Sequence, residues 1–364
     1  MNTEFKMPFY AKAALIIIGL FTLFSILYIA QSILVPIVYS VIIAILLNPL
    51  VRFFVKRKLN RILAISIVLT SISLLIIGCF AILSTQLNEF TDALPFILDK
   101  FYEILNGFID WVSDNFNIST RKINKYISDS KAQALSSSGS SIALTVSSVG
   151  SALVMLVVIP VYVFMILFYQ SHLVDFIYKL FGENNRKEVG EVFTSSKSII
   201  QNYLVALLIE AGIIAILNSI GLFVLGIEYA IVLGILGALL NIIPYLGGLI
   251  AMAIYMLIAI VTKESHSYAL YVLLLYSFIQ LIDNNLIMPK LVGSKVKINA
   301  LIAIIAVIVG GAIWGVSGMF ISLPIIAILK IIFDHIPSLK PWGFLLGDTI
   351  PTPSLFKFKT TKKQ

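Results

Sequence analysis

Cysteine is nearly absent: the one thiol, Cys79, lies in an apolar run, which excludes a disulfide framework and a cysteine metal site. Histidine is almost as scarce. His172, His266 and His335 sit at segment ends, far apart in sequence. No HExxH, P-loop or GxGxxG occurs, so nothing points to a metalloprotease, an ATP-driven pump or a dinucleotide enzyme, and no cofactor is expected. An intramembrane enzyme finds no support either, since no constellation of nucleophile, base and partner is visible. Charged residues make up only 12% of the chain.

What fills the space is apolar. At 364 residues, 59% of them hydrophobic, and a mean hydropathy of +1.02, the chain reads as an all-α polytopic membrane protein whose first partner is the lipid bilayer. The net charge of +8 does not argue for nucleic acid, because basic residues beside membrane segments record topology.

The N-terminal region, residues 1–83, is expected to hold three spans. Residues 13–30 form an uncleaved first span rather than a signal peptide, because a second span follows almost at once. Gln31-Ser32 is read as a turn, and Asn48-Pro49 as the end of the second span. Arg52, Lys56, Arg57, Lys58 and Arg61 then crowd into ten residues, placing that loop and the amino terminus in the cytoplasm. Residues 62–83 lead outward. In the segment 84–145, Leu87, Phe90, Leu94, Phe101, Leu105, Phe108 and Val112 recur near helical spacing, as expected of an extracytoplasmic amphipathic helix. Its stripe suits packing on the membrane domain or on a neighbouring copy better than a ligand surface, so a homo-oligomer is expected. A polar helix over 121–134, a Ser/Gly linker at 136–141 and a sequon at Asn117-Ile118-Ser119 complete the segment. Residues 146–202 supply the fourth span, interrupted by Pro160, and a cytoplasmic helical pair turning at 182–185.

The half from Tyr203 to Phe333 holds nearly every unusual feature. Residues 229–261 are apolar but broken at Asn241-Ile242-Ile243-Pro244-Tyr245-Leu246-Gly247-Gly248, where Pro244 removes a backbone donor and paired glycines weaken the helix. The 15-residue arm before Pro244 spans about 22 Å, short of a hydrocarbon core of about 30 Å, and the 13-residue arm after Gly248 is shorter still. Such a stretch reads as a re-entrant hairpin, tolerated only inside protein or beside a water-filled cavity. A second broken stretch, 300–333, breaks at Gly310-Gly311-Ala-Ile-Trp-Gly315-Val-Ser-Gly318, with Pro324 beyond. Each is preceded by a span, 203–225 and 268–284, so 203–261 and 268–333 form a candidate inverted repeat. The GxxxG pair Gly311 and Gly315 alternatively reads as a close helix-packing motif.

The sum is about six full spans plus two re-entrant hairpins, eight membrane segments, with both termini cytoplasmic and 334–364 a basic tail. Under that topology 20 Lys/Arg fall inside and 6 outside. A ninth span would expose Lys357, Lys359, Lys362 and Lys363 and is disfavoured, whereas eight straight spans differ only narrowly in charge.

Within the membrane, Glu210 needs a reason to exist, an acid there costing about 2.5 to 3.5 kcal/mol. Ala206, Asn218 and Gly221 lie toward its side, mixed with Ile214 and Leu217; Ser277, Gln280 and Asn284 share a face of the partner span with Asp283 beside them. A carboxylate with amide neighbours in a wet cavity can bind a proton or sodium ion, while a structural hydrogen bond is the plainer alternative for Glu210.

At NIIPYLGG (241–248), DNNLIMPKLVG (283–293) and IVGGAIWGVSGMFISLPIIAILK (308–330) the chain resembles the autoinducer-2 exporter-like permease family. The resemblance covers most of the chain and is strongest from about Tyr203 to Asp348. It implies a bacterial inner-membrane permease of eight membrane segments, with different members linked to autoinducer-2 export and to sodium/proton antiport. Pro244, Gly247, Pro289, Gly293, Gly310, Gly311, Gly315, Gly318 and Pro324 match as architectural positions and name no substrate. The expected function is secondary transport of a small polar metabolite or cation, with autoinducer-2 export leading and sodium/proton antiport or a passive channel as alternatives. The expected path residues are Glu210, Asn218, Asn241, Pro244, Tyr245, Gly247, Gly248, Gln280, Asp283, Asn284 and the four glycines of the second break.

Overall fold

The computed structural model describes residues 8–116, 157–182, 185–243, 246–291 and 298–348. Among them the chain is almost wholly helical, with six helices long and apolar enough to cross a membrane and a bent pair that makes a seventh. The polar helix, linker and sequon expected between 117 and 141 lie outside the described residues, as does most of the basic tail.

Helices α1 (Phe9–Ile29) and α2 (Gln31–Lys56) are separated by Ala30 alone, so the turn precedes Gln31-Ser32 rather than using them. Nor does Asn48-Pro49 end the second span: α2 runs through both Pro36 and Pro49. Flanking Leu47 and Val51 are buried in a core with Ala64, Ile65, Val163 and Leu167, and such packing holds a helix together across a proline. Arg57 ends α2, Lys58 takes a left-handed φ of 67°, and the side chain of Asn60 accepts from the Ile62 amide as the next helix begins.

That helix, α3 (Arg61–Phe116), has 56 residues and is about 84 Å long, more than twice a hydrocarbon core. The amphipathic segment is thus a continuation of the third span, and the expected boundary at 83/84 falls inside one helix. Of the expected stripe only Phe90 joins the core formed by Leu222, Ile227, Leu233, Tyr255 and Ile258, its ring meeting Tyr229 edge-on at 5.4 Å. The other contacts come from Ala93, Ile97 and Ile104, outside the expected set, while Leu87, Leu94, Phe101 and Leu105 are half-buried. The side chains of Phe108 and Val112 lie outside the described set.

Helix α4 (Val157–Phe168) bends by 65° into α5 (Gln170–Phe181). Arg61 donates to the Leu167 carbonyl at the bend, at 2.5 Å, satisfying one of the carbonyls a helix end leaves free. Past Gly182, α6 (Arg186–Val224) joins the second helix of the cytoplasmic pair to the span that follows, so the expected boundary at 202/203 also lies within a helix. A Schellman turn ends α6: Ile227 N–H donates to Leu222, Gly226 N–H to Phe223, and Gly226 adopts the φ of +67° that the motif needs.

Two hairpins follow, one after each of two antiparallel helices. Helix α7 (Ala230–Asn241) and α8 (Leu246–Thr262) run antiparallel. At the tip a Cβ on Gly247 would collide with the Leu240 carbonyl; midway, the Tyr255 hydroxyl donates to the Leu233 carbonyl at 2.9 Å; at the open end Gly226 lies beside Lys263. Helix α9 (Ser267–Ile282) then passes through a π-helical turn, Asp283–Ile287, and a last α-turn, Met288–Leu291. The second broken stretch, α10 (Ala300–His335), is also two arms, for Trp314 and Gly315 leave helical geometry and Gly315 has φ +59°. Gly310 and Gly318 would lie about 12 Å apart along a straight helix. Instead a Cβ on either would strike the other's carbonyl.

The open end of this second hairpin is closed by Asn299 N–H donating to Leu346, by an isolated antiparallel bridge between Ile298 and Gly347, and by a short helix, α11 (Lys340–Leu346), folded back on α10. Because α6 and α9 run antiparallel, with Gly221 against Leu275, the hairpins open toward opposite ends of the bundle. The Trp314 indole donates to the Leu27 carbonyl at 2.8 Å, pinning the second tip to α1.

Candidate functional site

Helix α6 builds the site first. Its inward stripe repeats every four residues, Ala206, Glu210, Ile214, Asn218 and Leu222, all buried. Tyr203 is buried one turn nearer the start of the helix and lies within electrostatic range of Glu210. Helix α7 lies along this stripe in the opposite direction, close enough that a Cβ on Gly234 would strike Ser219, and so its last residue, Asn241, arrives near the level of Glu210.

The third side comes from α9 and its π turn. Asp283, only 1% exposed, accepts a hydrogen bond from Asn241 Nδ2 at 3.2 Å on Oδ2, while its Oδ1 is buried without a partner. Glu210, 5% exposed, lies within electrostatic range of Asp283, and its Oε2 is likewise buried and unpartnered. Two turns along α6, both amide atoms of Asn218 are buried without partners. Gly248 opens the space on the far side: a Cβ there would lie 2.8 Å from the Tyr276 hydroxyl, 3.4 Å from Asn241 Oδ1 and 3.8 Å from Gln280 Oε1. The first break, the two acids and Gln280 therefore converge from three elements distant in sequence. Pro244 and Tyr245 lie outside the described residues; Gly247 shapes the tip.

One face was misjudged from sequence. The residues of α9 turned inward are Val272, Tyr276, Ile279 and Asp283, whereas Ser277 and Asn284 are exposed. Polarity suggested Ser277, Gln280 and Asn284, but Tyr276, whose ring packs edge-on against Tyr255 at 5.9 Å, fixes the rotation of the helix. Asn284 thus leaves the cluster, and Tyr276 and Tyr203 join it. The spacing of Tyr276, Ile279 and Asp283 at i, i+3 and i+7 was the available signal.

Gly310, Gly311, Gly315 and Gly318 sit at the second tip, apart from the acids. Gly310 and Gly318 provide the close backbone approach, Gly315 the turn, and Gly311 faces the flexible Met319. GxxxG packing through Gly311 and Gly315 is thereby replaced by contact within one hairpin. Both tips border one apolar cluster, Ile242 from the first and Trp314 from the second, around Tyr203, Leu207 and Ile321.

Chemically, two carboxylates, each with one buried oxygen unsatisfied, share a buried site with one amide bonded between elements and a second amide, Asn218, left without partners. Unpaired charge in such surroundings is expensive, so the site favours uptake of a proton, a small cation or a polar molecule. Among the described residues no group of three or more His, Cys, Asp or Glu could hold a metal ion.

Comparison with known proteins covers most of the chain. The model of the AI-2E family transporters matches residues 15–338. The AI-2 transport protein TqsA of Escherichia coli is 28% identical over 325 residues, covering 88% of this chain and 90% of that protein. A putative transport protein of Haemophilus influenzae is 25% identical over 326 residues, 88% and 91% of the two chains. A sodium-lithium/proton antiporter of Halobacillus andaensis is 25% identical over 315 residues, 81% and 87% of the two chains.

Proposed function

Since the chain belongs to the AI-2E transporter family, we propose that it is a secondary transporter that exports a small polar metabolite across a bacterial inner membrane, with autoinducer-2 as the first cargo to test. The observation that carries this reading is the meeting of Asn241, at a broken hairpin tip, with buried and incompletely paired Glu210 and Asp283. Broken helices at a shared polar site are how secondary transporters expose backbone and side-chain groups to cargo. In this reading the two hairpins re-enter from opposite faces, making eight membrane segments with six full spans, and both termini are cytoplasmic because that puts most Lys and Arg inside. The path runs past Glu210, Asn241, Gly248, Gln280 and Asp283. The protein assembles as a homo-oligomer through the α3 surface left free by the first hairpin. Autoinducer-2 is suggested by the name of the Escherichia coli relative.

A second reading, monovalent cation/proton antiport, is favoured by the paired carboxylates, which can exchange a proton for a cation, and by the name of the Halobacillus relative. Proteoliposomes separate the two: lumenal pH is followed on adding sodium, and uptake of labelled autoinducer-2 is measured in parallel. Sodium-dependent proton movement lost in Glu210→Gln and Asp283→Asn establishes antiport. Autoinducer-2 flux without that exchange establishes export, and absence of both in folded protein rejects both cargoes.

A further inference from the structure

At the end of the bundle where Arg61 caps α4, an apolar cavity of about 320 Å³ opens between α2, α4, α5, α6 and α10. It runs into a second of about 580 Å³, the two sharing Ile177, Phe193, Ser196 and Ile328. The lining of the first is apolar apart from four polar residues and contains a cation, Lys197, and no acid, whereas Glu188 lines the second. Lys197 is half-buried, and the Arg52 guanidinium lies within electrostatic range of it. Neither cation forms an ion pair among the described residues. Like charges left together without a carboxylate are unfavourable unless an anion joins them.

Two further polar residues line the same cavity. Ser196 Oγ is buried without a hydrogen bond. Asn48, 4% exposed, lines the cavity and sits one turn before Arg52 on the same side of α2. An anion held by Lys197, Arg52, Ser196 and Asn48 would be tethered to long apolar groups filling a crevice of Ile177, Phe193 and Ile328. We infer that this crevice is a binding site for an anionic phospholipid, its phosphate between Lys197 and Arg52 and its acyl chains along the apolar lining. The site is separate from the carboxylate cluster and does not depend on what the protein transports. Anionic lipid at the membrane face bearing the basic α2–α3 connection supplies the ligand.

The test uses full-length protein in detergent, with bound lipid counted by native mass spectrometry during titration with phosphatidylglycerol, phosphatidylcholine or inorganic phosphate. Wild type is expected to retain phosphatidylglycerol over phosphatidylcholine. Lys197→Gln should weaken that binding about tenfold or more, the loss of one charge-assisted contact, and Lys197→Arg should restore it. Ala44→Phe, which fills the first cavity without altering charge, should reduce retention too, and Lys187→Gln should not. Equal retention of both lipids, unchanged binding in monodisperse Lys197→Gln and Ala44→Phe, or phosphate binding as tightly as phosphatidylglycerol would each overturn the inference.

Discussion

The fold-back at Trp314–Gly315 turns an apparent 36-residue helix into a hairpin, and it can be measured directly. Ile304 and Ile325 are exposed on opposite arms, 39% and 37%, at positions that face one another if Gly310 meets Gly318. Spin labels on cysteines at these sites, in a Cys79→Ser background, would sit on helices about 8–10 Å apart. In one straight helix the 21 intervening steps give about 32 Å. The perturbation is Gly318→Val. A side chain there collides with the Gly310 carbonyl and lies 3.0 Å from Trp314 Cβ, and overpacking of this kind costs about 1–3 kcal/mol. Even 1–2 kcal/mol shifts a closed-to-open ratio by a factor of about 5–30. Strong dipolar broadening is therefore expected in the parent and a new, longer distance in Gly318→Val. A single distance near 32 Å in the parent would refute the hairpin, and an unchanged distribution in Gly318→Val would refute the glycine contact as its determinant.

Ile97, 2% exposed, ties α3 to the first hairpin; Ile97→Ala should destabilise the protein by about 2–5 kcal/mol, read as a lower unfolding temperature in detergent and faster proteolysis near residue 97. Tyr255→Phe removes the hydroxyl that joins α8 to α7 and should cost about 1 kcal/mol, because the Leu233 carbonyl keeps its helical partner; a loss as large as that of Tyr255→Ala would show that the bond does more than link two arms.

Much of this was readable beforehand, for reasons that attach to particular residues. Pro244 with Gly247 and Gly248, and the glycines of 310–318, mark backbone conformations that few other residues allow, so both breaks were visible. Glu210 stood out because an acid inside an apolar run demands a partner. What surrounds it was less accessible, since Asp283 comes within electrostatic range, and Asn241 bonds Asp283, only through the packing of three helices. The rotation of α9 depends on Tyr276 against Tyr255, a contact between elements that polarity along one helix does not encode. Helix continuity escaped for a related reason: Pro49 and the polar residues near 84 and 202 carry local signals to stop, and neighbouring side chains override them.

Helix α3 grips the bundle at two distant points, through Ile65 and Val68 against α2 and α4 and through Ile97 against the first hairpin. A rod anchored at both ends fixes the distance between the parts it joins, so the first hairpin is braced to the amino-terminal helices. The second packs on α2 and α6 instead, with Ile321 buried among Ile42, Tyr203, Leu204 and Leu207 and Phe320 stacked on Tyr39 at 5.8 Å. Its tip is also tied to α1 by the Trp314–Leu27 hydrogen bond. A motion of the second hairpin would therefore have to slide across the apolar seam around Ile321, against a frame in which α3 holds the first hairpin to the amino-terminal helices.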